Sequence, residues 1–364
     1  MNYKINKYIM EEDFLSYAKD EDLSKICINC YDGINTITFS SNVKDAFNNL
    51  NYSTLKDYPH GNLLKKSIID YWNNNICLKV NNIILTEGSI NGIYLSNKLF
   101  LQPNDNVLGC TPQFPEYAMD VKMHGGNFNY YTLKEENNHI FDEDEFIKLI
   151  DNKYKLIYLD NPNNPTGQII SLKQIEKIVK IAKEYKIVII VDEAYGDYMS
   201  PENSSINLIN NYDNIIILKT FSKFFSLAGI RAGYMVVPNN FYNPLNKITN
   251  PYCINEIGRQ MASIALNDNN FINETLFINK KIKSYFFKSL KNLIISHTDK
   301  TVAIFLLHHK NPNINLQKEF SKFNIVVVSG CSYMGLDKNY VRLRVPKEKN
   351  LEKVLQAFEY IDEL

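Results

Sequence analysis

Four side chains in one short run could do chemistry together. They are Thr220, Ser222, Lys223 and Arg231, within Lys219-Thr220-Phe221-Ser222-Lys223-Phe224-Phe225-Ser226-Leu227-Ala228-Gly229-Ile230-Arg231-Ala232-Gly233-Tyr234. Two hydroxyls and a guanidinium suit an anion, and an amine beside them can attack a carbonyl to form an imine. Gly88-Ser89-Ile90 opens a predicted helix, and its free backbone N–H groups favour a phosphate. Asp192 ends a predicted buried strand in Val191-Asp192-Glu193-Ala194-Tyr195. A carboxylate there costs free energy unless a cation partners it. Asn161-Pro162-Asn163-Asn164-Pro165-Thr166-Gly167 follows another strand and is, alone, a good turn sequence. Taken singly, each piece has an ordinary explanation: a solvated loop lysine, a first helical turn, an acidic turn.

The elements that must position these residues alternate along the chain. Ile83–Thr86, Val107–Cys110, Phe128–Leu133, Lys155–Leu159, Ile187–Val191 and Asn214–Leu218 read as strands. The aliphatic runs among them are too short for helices and suit strands buried on both faces. Helical patterns lie between them. The best formed has Ser171 and Gln174 as a capping box, with Leu172, Ile175, Ile178, Val179 and Ala182 on one face. This rhythm predicts an α/β fold with a mostly parallel sheet flanked by helices. In such sheets ligands bind beyond the carboxyl ends of the strands, where every suggestive cluster here falls.

After Pro251 the texture changes. A helical region from about Glu256 to Leu290 precedes strands at Thr301–Leu307, Ile325–Val328 and Tyr340–Val345, with helices at Leu316–Phe323 and Leu351–Ile361. The expected division is residues 1–43 as an N-terminal arm and part of a small domain, 44–252 as the large domain, and 253–364 as a smaller α+β domain. A short amphipathic piece is expected near Glu11–Ala18, and a helix with Leu64, Ile68, Ile69 and Trp72 on its apolar face after Asp57–Gly61.

Composition narrows the function classes. The 364 residues carry 40 basic and 40 acidic side chains, so no basic footprint for nucleic acid is expected. No apolar run reaches a membrane span, and the polar, tyrosine-containing start does not read as a signal peptide, so a cytoplasmic protein is expected. Cys27-Ile28-Asn29-Cys30 is the only CxxC, without a second pair or a nearby histidine, and no metal is expected.

Together, Asn-Pro-Thr-Gly, Asp-Glu-Ala-Tyr and Ser-Lys-x-x-x-Leu-Ala-Gly-x-Arg-x-Gly-Tyr closely resemble the class I/II aminotransferases of pyridoxal 5′-phosphate (PLP) fold type I, over the chain from about residue 30. Within the class the chain is most similar to the branch holding histidinol-phosphate aminotransferase and threonine-phosphate decarboxylase. Asn-Asn-Pro-Thr-Gly is similar to the former, and Thr111–Tyr117 and Cys331–Asp337 to the latter. The resemblance implies a seven-stranded sheet in the large domain and PLP as cofactor. It implies that Lys223 forms the Schiff base and shuttles protons, and that Asp192 pairs with the ring nitrogen. By the same resemblance Asn164 and Tyr195 bond the phenolic oxygen, and Phe114 stacks on the ring. Thr220, Ser222, Arg231 and the amides of Gly88, Ser89 and Ile90 hold the phosphate. Tyr58 would reach the cofactor of a second subunit, implying a homodimer.

Arg342, with Arg344 and Asn164, would bind substrate. Where the branch carries a second arginine near residue 329 this chain has Ser329, and Arg344 stands where relatives have a small residue. On strand spacing Arg342 and Arg344 share a face, where two cations repel, so Arg344 is expected either to compensate for the arginine absent at Ser329 or to lie at a solvated edge or pair with an acid. The implied activity is an aminotransferase of amino-acid biosynthesis, acting on an amino acid or an amino-acid-derived phosphate and a 2-oxo acid. The alternatives are a decarboxylase of an O-phospho amino acid and, further off, a non-enzymatic protein of the same fold.

Overall fold

A computed structural model describes residues 5–10, 27–288 and 290–364. The amphipathic piece expected at Glu11–Ala18 lies outside the described residues. The first strand, β1 (Ile28–Asn29), is two residues long and is considered below with its partner.

Seven strands follow: β2 (Ile83–Thr86), β3 (Asn106–Thr111), β4 (Asn127–Thr132), β5 (Tyr154–Asp160), β6 (Val188–Asp192), β7 (Ile215–Thr220) and β8 (Gly233–Val236). They form one sheet in the order β2-β8-β7-β6-β5-β3-β4. The pairs from β7 to β4 are parallel, and β8 runs antiparallel to both neighbours. This is the mostly parallel seven-stranded α/β sheet that the resemblance implied. Every residue of β5 except Lys155, and every residue of β6 and β7, is buried, because helices cover both faces. Each aliphatic side chain so buried contributes roughly 1.5–3 kcal/mol.

Local chemistry sets the flanking helices. Ser171 caps helix Leu172–Glu184, accepting from the Gln174 amide at 3.3 Å while Gln174 Oε1 accepts from the Ser171 amide at 3.0 Å. Ile175, Ile178, Val179 and Ala182 are that helix's buried face. Helix Gly88–Phe100 packs against β7 and β8, where Gly92 leaves room for Leu218.

The remaining strands are β9 (Leu293–Ile295), β10 (Ile304–His309), β11 (Ile325–Val326), β12 (Val328–Ser329) and β13 (Tyr340–Arg344). An antiparallel sheet runs β12-β13-β10-β9, and β11 pairs in parallel with β1, tying the N-terminal segment to the C-terminal region. Its core gathers Phe286, Phe305, Phe320 and Phe358. The single helical region expected from Glu256 to Leu290 is two helices, Glu256–Leu266 and Asn269–Ser284. Asp268 causes the break. Its carboxylate accepts from the Phe271 amide at 3.1 Å, capping the second helix, and from Ser40 Oγ at 2.6 Å.

Candidate active site

The carboxyl ends of the parallel strands open into a cavity of about 380 Å³. Lys223, Asp192, Tyr195, Asn164, Phe114, Thr220, Ser222, Arg231, Gly88, Ser89 and Ile90 all line it. These residues come from five separate stretches of chain, and the sheet brings them together.

Asp192 is the last residue of β6 and is 4% exposed. Its Oδ2 accepts from Tyr117 at 3.0 Å and its Oδ1 from the Ala194 amide at 2.9 Å. Desolvation pushes its carboxyl up to about 7; the Asp160 charge adds to this, while the Tyr117 and Ala194 bonds and the Lys223 charge oppose it. A cation arriving beside Asp192 would restore the ionised form.

On one wall, Arg231 Nη1 reaches Ser222 Oγ at 3.4 Å, and Thr220 Oγ1 donates to Ser222 Oγ at 3.0 Å. Gly88, at φ 78°, begins helix Gly88–Phe100 beside them. A Cβ there would stand 3.0 Å from Arg231 Nη2, so glycine keeps this cradle open. Hydroxyls, guanidinium and helix N-terminus thus converge as an anion site.

Lys223 Nζ lies 5.7 Å from the centre of the Tyr195 ring. The buried Tyr195 hydroxyl has no hydrogen-bond partner among the described residues. A Cβ on Gly33 would come within 1.8 Å of that oxygen. Asn35 braces the lysine turn from the N-terminal segment, donating its amide to the Lys223 carbonyl at 2.7 Å and its side chain to Phe224 O at 3.1 Å. Asn164 Oδ1 accepts from Tyr333 at 3.1 Å and from Arg342 Nη1 at 3.3 Å. Its side-chain N–H groups therefore remain the donors it can offer to a ligand.

Below this level, Lys219 is 1% exposed and lies 3.2 Å from Asp197 and 3.6 Å from Glu193. Glu193 also accepts from Ser204 Oγ and the Ser205 amide, each at 2.6 Å. Burial raises the Glu193 carboxyl and the Lys219 charge opposes that rise. The cluster ties the Glu193–Tyr198 turn, which carries Tyr195, to β7.

Three expected residues do not line the cavity. Tyr58 is 70% exposed and stacks on Tyr252 with ring centres 4.7 Å apart. Arg342 is buried one hydrogen bond behind Asn164 and also donates to the Tyr31 carbonyl. Arg344 is buried too, but its guanidinium is directed elsewhere. It donates to Asp32 O at 2.7 Å, Thr36 Oγ1 at 2.5 Å, Val345 O at 2.6 Å and the Asn29 carbonyl. The segment 29–36 accepts three of these four bonds, so Arg344 does not face a ligand beside Arg342 as strand alternation suggested.

Other wall residues carried little sequence signal. Tyr31, Asp32, Gly33 and Ile34 come from an irregular segment, whereas Tyr117 and Asp160 border motifs already singled out. Position at the carboxyl end of a strand is the signal that would have found Asp160.

The cavity fits PLP. It offers an anion cradle at a helix start, an imine-forming amine, an unpartnered hydroxyl and a buried carboxylate that a ring cation would satisfy. Known proteins agree. The family profile for aminotransferase class I and II matches residues 21–358. The histidinol-phosphate aminotransferase of Caldicellulosiruptor saccharolyticus is 31% identical, over 79% of each chain. The crystal structure of the histidinol-phosphate aminotransferase from Clostridium acetobutylicum superposes with a TM-score of 0.78 at 26% identity, covering 92% of this chain and 99% of that one. L-threonine-O-3-phosphate decarboxylase from Porphyromonas gingivalis shares the fold at 19% identity, with a TM-score of 0.77 and coverage of 93% and 100%. The chain belongs to the class I and II aminotransferases, enzymes that work with pyridoxal 5′-phosphate.

Proposed function

We propose that this enzyme moves an amino group between an amino-acid-derived phosphate of the histidinol phosphate type, or an amino acid, and a 2-oxo acid. One observation carries the reading. Asn164 lines the cavity together with the imine-forming Lys223, and its Oδ1 accepts from Arg342 at 3.3 Å, so a guanidinium stands directly behind the wall that Lys223 faces. An anionic substrate group held by Arg342 would set its amine-bearing carbon toward Lys223.

The residues divide the work as follows. Bound PLP supplies an electron sink for the pair left at the substrate α-carbon. Asp192 holds the proton on the ring nitrogen. Asn164 and Tyr195 donate to the phenolic oxygen. Thr220, Ser222, Arg231 and the amides of Gly88, Ser89 and Ile90 hold the phosphate, and Phe114 covers one ring face against water. The Lys223 amine takes a proton from the substrate α-carbon and returns it. Arg342 orients the substrate's phosphate or carboxylate through bidentate-capable donors.

A homodimer belongs to the same proposal. Tyr52, Leu55, Tyr58 and Leu63 are all more than half exposed on one short stretch, an apolar surface suited to a second copy. Tyr58 would then reach the partner's cofactor phosphate. A cytoplasmic, biosynthetic setting is proposed with it.

The test is direct. Purified protein with PLP is offered histidinol phosphate, a panel of amino acids and a 2-oxo acid, and new amino acid is measured. Formation of amino acid with histidinol phosphate as the best donor supports the reading. Carbon dioxide released from threonine O-3-phosphate, with no amino transfer, would replace it with the decarboxylase reading.

A further inference from the structure

Asp160 has no part in the roles assigned so far, yet its position is that of a working residue. It closes β5 as Asp192 closes β6, and the two are register partners on adjacent parallel strands. Register partners project from the same face, about 4.8 Å apart along the hydrogen-bonding direction. Both line the cavity, and Asp160 is 4% exposed.

The carboxylate is built in. Its Oδ1 accepts from Gln113 Nε2 at 3.0 Å and Asn163 Nδ2 at 2.9 Å, and its Oδ2 from the Asn164 amide at 2.9 Å. Such bonds favour the charged form, while desolvation, the largest influence, pushes the group up to about 6. All three bonds are accepted and none is donated, so its two oxygens are arranged as those of a carboxylate.

The titratable and charged groups facing it are Asp192 from β6, Tyr117 from helix Glu116–Met123 and Cys110 from β3. Lys223 acts on Asp192 from the turn after β7, and Arg342 stands behind Asn164. Two neighbouring carboxylates in a desolvated pocket repel each other, and a cation held against them relieves that repulsion.

We propose that Asp160 is an electrostatic positioning residue of the cofactor site: its negative charge, added to that of Asp192, keeps the proton on the ring nitrogen of PLP. The inference rests on the cofactor reading above. Asp160 does not touch the reacting carbon. It acts through Asp192 and, by its bond to the Asn164 amide, through the loop that carries Asn164.

The experiment loads the wild-type protein, Asp160→Asn and Asp160→Ser with PLP labelled with ¹⁵N in the ring, and follows the nitrogen's chemical shift against pH. Circular dichroism and the visible absorbance of bound PLP report folding and loading separately. In wild type the nitrogen should stay protonated well above neutrality. In the variants its titration should move down by about one pH unit, a tenfold loss in proton affinity. An unchanged titration in a folded, loaded variant overturns the proposal.

A wild-type measurement keeps the question open to refutation if neither variant folds. The ¹³C carboxyl resonance of Asp160 is titrated with and without PLP. Loading should lower its midpoint, and a midpoint that stays in place overturns the proposal. Failure of wild type to take up PLP at all would instead overturn the cofactor reading, a distinct outcome.

Discussion

Tyr117 donates its hydroxyl to Asp192 Oδ2 over 3.0 Å, joining helix Glu116–Met123 to the end of β6 inside the cavity. The bond makes Asp192 an oriented carboxylate, one oxygen held by Tyr117 and the other by the Ala194 amide. Tyr117 in turn stacks on Tyr158 with ring centres 4.8 Å apart, so the donor is itself fixed.

Asp192→Asn should leave the fold near intact and cut turnover at least ~100-fold, since each tenfold loss is about 1.4 kcal/mol of transition-state stabilisation. Tyr117→Phe should act more mildly. Its hydroxyl bond holds the Asp192 carboxyl down, so without it the midpoint rises from about 7. Carboxyl titration of the apoprotein by ¹³C resonance checks the direction. A midpoint unchanged by Tyr117→Phe would remove this bond from the argument.

Lys223 is expected to be the one residue that borohydride fixes to PLP. Peptide mapping after reduction should find the label on Lys223, and Lys223→Ala should bind PLP without retaining label. Label on a different lysine contradicts the assignment.

The apoprotein should lose stability as pH rises from about 4 to about 7 through two groups. In the unfolded chain Asp160 and Asp192 titrate near 3.8, but in the folded protein near 6 and 7. Between those values the folded state binds more protons than the unfolded state, so the slope of unfolding free energy against pH is negative. Shifts of about 2 and about 3 pH units together correspond to an upper bound of roughly 7 kcal/mol. Urea unfolding of wild type and Asp160→Asn at pH 5 and pH 8 isolates it. The difference between them should move in the variant's favour at pH 8, and a difference independent of pH contradicts the expectation.

Arg342→Ala and Arg344→Ala should separate binding from stability. Arg344→Ala strips hydrogen bonds from the carbonyls of Asn29, Asp32 and Val345 and from Thr36. Bonds from a charged donor are worth roughly 1.5–3 kcal/mol each, so the fold should lose about 3 kcal/mol or more. Arg342→Ala should chiefly raise KM for every anionic substrate. Thermal unfolding and steady-state kinetics on both variants decide between these roles. A stable Arg344→Ala whose KM alone changes would return Arg344 to the substrate site.

The sequence by itself determined the sheet, its flanking helices and most of the cavity wall. Aliphatic runs such as Val188–Val191 can be buried on both faces only as interior strands, and the Asp192, Thr220 and Asn164 motifs follow strand ends where such sheets bind ligands. Contacts far apart in sequence were decided by the tertiary structure alone. Alternation along β13 put Arg342 and Arg344 on one face, but only the path of residues 29–36 turned Arg344 into a structural clamp. Tyr31 to Ile34 entered the wall without any local pattern, because an irregular segment has no periodicity to reveal which way it faces. Asp160 became Asp192's partner only when β5 and β6 paired in register, since strand pairing sets which chain ends meet and local sequence does not.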